Sequence, residues 1–238
     1  SNCVVRNCQG DGWDRMGGGI YMAKPNAGIV ALVTHCLITN CQVEAVANGA
    51  RDDRGTGAGL AAAGGSVRNS LVACNRMLFS STSAARGSAV YLKGPVMCEN
   101  CTVVSNESAY LAGIYAKMPA DNEEQLFPTI RNCIVSANVS AYGDDSERVY
   151  SGLANLIDHS IADVAVSGFK VEDPALTFRN PARGDWRLRD GSAAIDYGTY
   201  AAWMEKSTDL RGHARVSGRR PDAGCYESAG GGFMLIVR

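Results

Sequence analysis

Asn132-Cys133-Ile134-Val135-Ser136-Ala137-Asn138 is one of five copies of a short motif. The others are Asn2-Cys3-Val4-Val5-Arg6-Asn7-Cys8, His35-Cys36-Leu37-Ile38-Thr39-Asn40-Cys41, Asn69-Ser70-Leu71-Val72-Ala73-Cys74-Asn75 and Asn100-Cys101-Thr102-Val103-Val104-Ser105-Asn106. Their second residues stand at 3, 36, 70, 101 and 133, so the steps are 33, 34, 31 and 32. A fixed period of this size around a short β-type core reads as a solenoid. Each repeat buries its apolar face only by stacking on its neighbours.

Every repeat carries a second segment of the type Gly-small-apolar. These are Gly19-Ile20-Tyr21, Gly59-Leu60-Ala61, Ala89-Val90-Tyr91, Gly113-Ile114-Tyr115 and Gly152-Leu153-Ala154. Both segments are β-branched or aromatic and bounded by turn residues, the signature of a strand. A third strand is expected around Val33, Val67, Cys98 and Ile130, three residues before the cysteine column. Two to three strands per unit give an all-β chain: a right-handed parallel β-helix of about five to six coils, built from residues 1–168.

With the cysteine column inward, period-two alternation turns Val5, Ile38, Val72, Val103 and Val135 inward too. The column between them, Val4, Leu37, Leu71, Thr102 and Ile134, then points out although it is mostly apolar. Either loops cover it or the register is shifted by one. Asn75, Asn106 and Asn138 form a further column with Cys8 and Cys41. Asn2, Asn69, Asn100 and Asn132 form another, with His35 in the fifth place. Asparagine tolerates turn backbones and stacks coil to coil, so both columns, His35 included, are read as structural.

Composition agrees with a folded chain, 46% hydrophobic and 20% charged. A net charge of −1 leaves no basic footprint for nucleic acid. No run reaches the roughly 18 apolar residues of a membrane helix. No charged start followed by an apolar run marks a signal peptide. Because the chain opens inside a motif copy, it reads as a piece of a longer protein or a processed product. Nine cysteines are an odd number; the column of Cys3, Cys36, Cys101 and Cys133 reads as a ladder of buried thiols. Cys98 and Cys101 form a lone C-x-x-C without a second pair at zinc spacing, so no metal and no cofactor are expected. Whether Cys8 and Cys41 bridge adjacent coils is left open.

From about 169 the repeats stop. Residues 173–227 contain Asp173-Pro174, Asp185-Trp186-Arg187-Leu188, Gly191-Ser192-Ala193-Ala194-Ile195-Asp196-Tyr197-Gly198, Asp209-Leu210-Arg211-Gly212 with Arg215, and Asp222-Ala223-Gly224-Cys225-Tyr226-Glu227. This series resembles the C-terminal segment of bacterial secreted choice-of-anchor Q domain proteins, with the small departure of Ala223 and Cys225 in the last motif. The resemblance implies a right-handed β-helix at an extracellular or cell-surface location. It implies no single activity. Physically, residues 169–228 read as an irregular cap over the last coil, with Trp186, Leu188, Ile195 and Tyr226 as covers. Asp196, Asp209 and Asp222 each stand near a glycine and read as turn residues. A glycine hinge then leads, within residues 229–238, to the apolar strand Phe233, Met234, Leu235, Ile236 and Val237, expected to pair with a neighbouring subunit by strand addition.

Three functional classes follow. The first is a structural, adhesive or self-assembling surface protein whose partners are copies of itself, end to end or through the C-terminal strand. The second is a polysaccharide lyase or glycoside hydrolase, which needs convergent carboxylates or an arginine or lysine base. Asp52-Asp53 and Asp144-Asp145 are pairs without companion histidine and lysine motifs, and no catalytic residue is assigned, so the balance is against an enzyme. The third is a carbohydrate-binding module, with Tyr21, Tyr91 and Tyr115 in one column and surface glycans as partners. Nucleic acid and a membrane span are not expected.

Overall fold

The computed structural model describes residues 1–10, 17–26, 29, 31–45, 57–79, 89–117, 126–142, 146 and 148–228. Within them the chain is an all-β parallel solenoid with almost no helix. The motif copies form one sheet of seven strands: Val4–Arg6, Leu37–Thr39, Leu71–Ala73, Thr102–Val104, Ile134–Ser136, Ser160–Ala162 and Phe169–Val171. Leu37 pairs with Val4 and Leu71, and Thr102 with Leu71 and Ile134, so equivalent motif positions lie in register. The amides of Leu37, Leu71, Thr102, Ile134 and Ile161 donate to the carbonyls of Cys3, Cys36, Ser70, Cys101 and Cys133 at 2.8–3.0 Å. The cysteine column is therefore a straight line across the stacked strands, and Ser160 continues it.

Three more parallel sheets of five strands complete the section. One holds the Gly-small-apolar segments, from Ile20–Met22 to Tyr150–Ser151. Another holds the strands expected before the cysteine column, from Leu32–Thr34 to Ile157–Asp158. The last was not foreseen. It follows each motif directly, at Gln9–Gly10, Gln42–Ala45, Arg76–Phe79, Glu107–Ser108 and Val139–Ser140. Its outward residues Gln42, Arg76 and Glu107 are polar, so these strands lack an apolar signal; each coil thus contributes four strands where two to three were expected. Every pass from one motif copy to the next crosses residues outside the description; the described residues support about three turns rather than the five to six coils expected.

Corners explain the asparagines. Asn2, His35, Asn69, Asn100, Asn132 and His159 have φ of 43° to 55°, and Asn7, Asn40, Cys74, Ser105 and Ala137 have φ of 52° to 57°. The chain turns into and out of each motif through a left-handed residue, where asparagine costs least after glycine. Between these corners Ile38, Val72, Val103 and Val135 enter the core with Cys36, Cys101 and Cys133. All nine cysteines are free thiols, Cys8 and Cys41 among them. Val164, Val166 and Phe169 pack on the same core, with the Phe169 ring 5.8 Å from that of Tyr150.

The expected end cap is corrected by a second core. Phe178, Trp186, Leu188, Ala194, Ala223 and Cys225 pack on Leu71, Ala73, Val104, Ile134 and Ile161, with Ile195 and Tyr226 at the margin. These latter positions are the outward column and its neighbours on the motif sheet. The C-terminal segment therefore lies along the flank of the solenoid, because that flank is apolar and needs cover. The register was right, and the cover is this segment. Its regular structure is slight: a turn of helix at Pro174–Thr177, the antiparallel pair Phe178–Asn180 and Asp185–Leu188, and short 3₁₀ turns at Pro181–Arg183 and Ala202–Met204.

A candidate site on the flank of the solenoid

The two asparagine columns divide the work. The inner column bonds coil to coil: Asn75 Nδ2 donates to Asn106 Oδ1 at 3.0 Å and Asn106 Nδ2 to Asn138 Oδ1 at 2.9 Å. The same amides donate to the carbonyls of Ile38, Val72 and Val103 at 3.0–3.1 Å. Cys41 ends the ladder, its backbone amide donating to Asn75 Oδ1 at 2.9 Å. The outer column instead holds the C-terminal segment. Asn132 Nδ2 donates to Thr199 O at 2.8 Å, Asn100 Nδ2 to Asp222 O at 3.1 Å, and Asn69 Nδ2 to Thr208 O at 2.9 Å. His35 Nε2 also donates to Thr208 O at 2.8 Å, while its Nδ1 lies 2.8 Å from Thr34 Oγ1. Both ring nitrogens of His35 are engaged in holding structure, in keeping with its place in the column.

Beside this column runs an ion-pair ladder that sequence reading missed. Arg68, Glu99, Arg131 and Asp158 are cross-strand neighbours. Glu99 is fully buried; Arg68 donates to its Oε2 at 2.8 Å and Arg131 to its Oε1. Trp203 covers the Arg68 guanidinium, 4.9 Å from its ring centroid. Alternating sign down a column of residues spaced by about 32 was the available signal.

The acids of the C-terminal series fold that segment. Asp196, itself at φ 53°, accepts from the amides of Arg219 and Arg220. Asp209 accepts from the amides of Arg211, His213 and Glu227. Asp222 accepts from the amides of Asp196 and Ser228. Arg215, fully buried, pairs with Glu227 at 2.6 Å. Burial pushes the Glu227 carboxyl up to about 8, Arg215 draws it back, and the nearby Asp222 and Asp209 raise it further. Burial also pushes the Cys225 thiol up to about 12 and raises the Tyr226 phenol. These groups hold turns and the buried Arg215–Glu227 contact; their geometry presents no nucleophile or base to solvent.

The flank cover ends before the first coil. There a groove of about 630 Å³ opens between the motif sheet and the segment. Val4, Leu37 and Leu71 form its apolar floor, Trp186 and Tyr226 its aromatic wall, and Arg211 its charged lip. Val4 is 63% exposed. Asn2, which continues the outer column, is exposed as well.

Tyr21, Tyr91 and Tyr115 do stand in one column, through Ala61, but differ in burial. Tyr21 is exposed, Tyr115 half-buried and Tyr91 buried, with the last two rings 5.6 Å apart. Cys98 and Cys101 both lie in the core, where Cys98 Sγ is 3.9 Å from Cys133 Sγ. Among the described residues no cluster of histidine, cysteine or acidic side chains is arranged to hold a metal ion, and no helix is long and apolar enough to cross a membrane. Asp52-Asp53, Asp144-Asp145 and the expected strand of Phe233, Met234, Leu235, Ile236 and Val237 lie outside the described residues. No family model, curated protein or solved structure matches the chain.

Proposed function

We propose that this chain is a right-handed β-solenoid of the extracellular or cell-surface kind, with a structural, adhesive or self-assembling role. What supports the self-assembling part is the far edge of the motif sheet: among the described residues Phe169–Val171 has one partner strand, and Val171 is 52% exposed. An open parallel edge favours contact with a second copy, which builds rods when the rotation does not close. The usual right-handedness of parallel crossovers supports the handedness. The resemblance of residues 173–227 to the choice-of-anchor Q segment supports a secreted location.

Light scattering after size exclusion, with electron microscopy of the concentrated protein, tests this reading. Rods that lengthen with concentration are expected. Val171→Pro interrupts that edge and should shorten them while leaving the strand pairing within each subunit unchanged. Monomers at every concentration would overturn self-assembly.

A carbohydrate-binding reading has one observation of its own. Tyr142 is 78% exposed and its ring lies 5.9 Å from that of Tyr110, a small aromatic platform facing solvent. Glycan-array binding that is lost in Tyr142→Ala would favour it.

A further inference from the structure

We propose that Cys8 and Cys41 are an oxidisable pair whose disulfide clamps the first repeat to the second. The inner asparagine column shows what such a clamp would replace. Asn75 bonds to Asn106 and Asn106 to Asn138, side chain to side chain, across each step of the stack. Gln42 pairs with both Gln9 and Arg76, so Cys8, Cys41 and Asn75 precede them in one column. The first two places of that column hold cysteines where the later ones hold asparagines. A thiol is a weak donor and a weak acceptor, so the reduced pair cannot reproduce the amide clamp. A disulfide is the strong link that these two residue types can make there.

The backbone already meets the requirements. Gln42 N donates to Cys8 O at 2.7 Å, which holds the two cysteine backbones against each other. Stacked strands put partner Cα atoms about 4.8 Å apart, inside the ~4.4–6.8 Å that a disulfide spans. The two thiols share one pose. Cys8 Sγ donates to Arg6 O at 3.6 Å and Cys41 Sγ to Thr39 O at 3.5 Å, and Arg6 and Thr39 are strand partners. Cys41 Sγ also reaches Val5 O, on the first repeat, at 3.9 Å. Cys36 in the neighbouring column differs, its Sγ donating to Thr34 of its own repeat. Cys98 and Cys133 lie close together but are sealed in the core.

The two sulfurs have different parts in the reaction. Cys8 is half-buried and Cys41 buried. A polar groove of about 380 Å³, lined by Asn40, Gln42 and Arg76, runs beside Cys41. Burial pushes the Cys41 thiol up to about 11, the Cys8 backbone draws it back, and the Cys8 sulfur raises it again. The thiolate is the nucleophile, so Cys8, the more open thiol, reacts first. With a low-molecular-weight disulfide as oxidant, the Cys8 thiolate attacks one sulfur, the S–S bond of the oxidant breaks, and one small thiolate leaves. Cys41 then gives its proton to solvent and attacks the Cys8 sulfur, expelling the second small thiolate. Two protein thiols are oxidised, and the two electrons leave on the two small thiols.

Oxidised glutathione added to the reduced full chain, followed by intact mass and non-reducing peptide mapping, tests the proposal. A bridge between Cys8 and Cys41 is expected, lowering the mass by two hydrogen atoms. Cys41→Ser should instead trap glutathione on Cys8, and Cys8→Ser should leave Cys41 a thiol. In hydrogen exchange, the Val4–Arg6 amides of the oxidised parent should exchange about 10-fold more slowly than those of the reduced one, while Thr102–Val104 is unchanged. Should serine loosen the first repeat, the bridge in the parent and its exchange rates still decide. Free Cys8 and Cys41 under conditions that load glutathione onto the exposed Cys74 would overturn the proposal. So would a bridge from Cys41 to Cys74 or from Cys3 to Cys36, or a Cys8–Cys41 bridge that leaves Val4–Arg6 exchange unchanged. None of these outcomes depends on the Val171→Pro experiment, which reads the far edge.

Discussion

The side chain of Asn132 and the backbone of Thr199 exchange two hydrogen bonds, Asn132 Nδ2 donating to Thr199 O and Thr199 N donating to Asn132 Oδ1, both at 2.8 Å. Asn132 is fully buried and sits at φ 54°. One residue thus makes the corner of a coil and clamps the segment that covers the flank. Asn132→Ala should cost about 2–4 kcal/mol, combining two buried hydrogen bonds with a left-handed backbone. Chemical denaturation measures it. Asn132→Gly should recover the backbone part alone.

Glu99 is the hinge of the ion-pair ladder. Removing it leaves Arg68 and Arg131 facing each other, each about a quarter exposed. Glu99→Leu should therefore cost about 3 kcal/mol, near the low end for a broken buried pair, because both guanidinium groups retain some water. Equilibrium unfolding of Glu99→Leu, and of Glu99→Leu combined with Arg131→Leu, separates the pair from its burial. The double variant should recover part of the loss.

Ala137 holds a left-handed corner at φ 54° without a polar side chain, where other copies place Asn7 and Asn40. Ala137→Gly should raise stability by about 0.5–1 kcal/mol, relief of the Cβ clash being partly offset by chain entropy. A rise in thermal midpoint checks it; a fall would mean that the Ala137 methyl against the flank core outweighs the strain.

The buried Arg215 donates to the Glu227 carboxylate and to the backbone carbonyl of Asp222, with the acids Asp222 and Asp209 near Glu227. Burial and the neighbouring acids raise Glu227 to about 8, above its ordinary value of 4.5. A raised carboxyl contributes stability that is fully present below about pH 4.5 and lost as pH rises through about 8. The thermal midpoint should fall between pH 5 and pH 8.5 by this contribution, and Glu227→Gln should flatten that part of the profile. A large loss in Glu227→Gln at pH 6 would instead assign the proton elsewhere in the cluster.

Much of the scaffold was legible because the motif repeats column by column: Cys36, Ser70, Cys101 and Cys133 are aligned by register, and their β-branched neighbours fill the core. The sheet after each motif was not legible, since Gln42, Arg76 and Glu107 turn polar side chains outward on strands of two to four residues. The outward column of Leu37, Leu71 and Ile134 looked like a register error. Its cover arrives from residues 178–225, far away in sequence, and only the shared apolar character of Phe178, Trp186 and Leu188 hinted at it. The groove was invisible for the same reason, being defined by where that cover stops.

The central claim is that the C-terminal segment seals the side of the solenoid. A β-carbon at Gly224 would stand 2.8 Å from the δ-methyl of Ile134, so the Gly224 α-protons lie against that methyl. In a methyl-labelled sample, nuclear Overhauser spectroscopy should show a strong cross-peak between the Ile134 δ-methyl and Gly224 Hα. An Ile134 methyl that sees only solvent, with Gly224 instead near the Phe169 ring, would place the segment over the end and contradict the account.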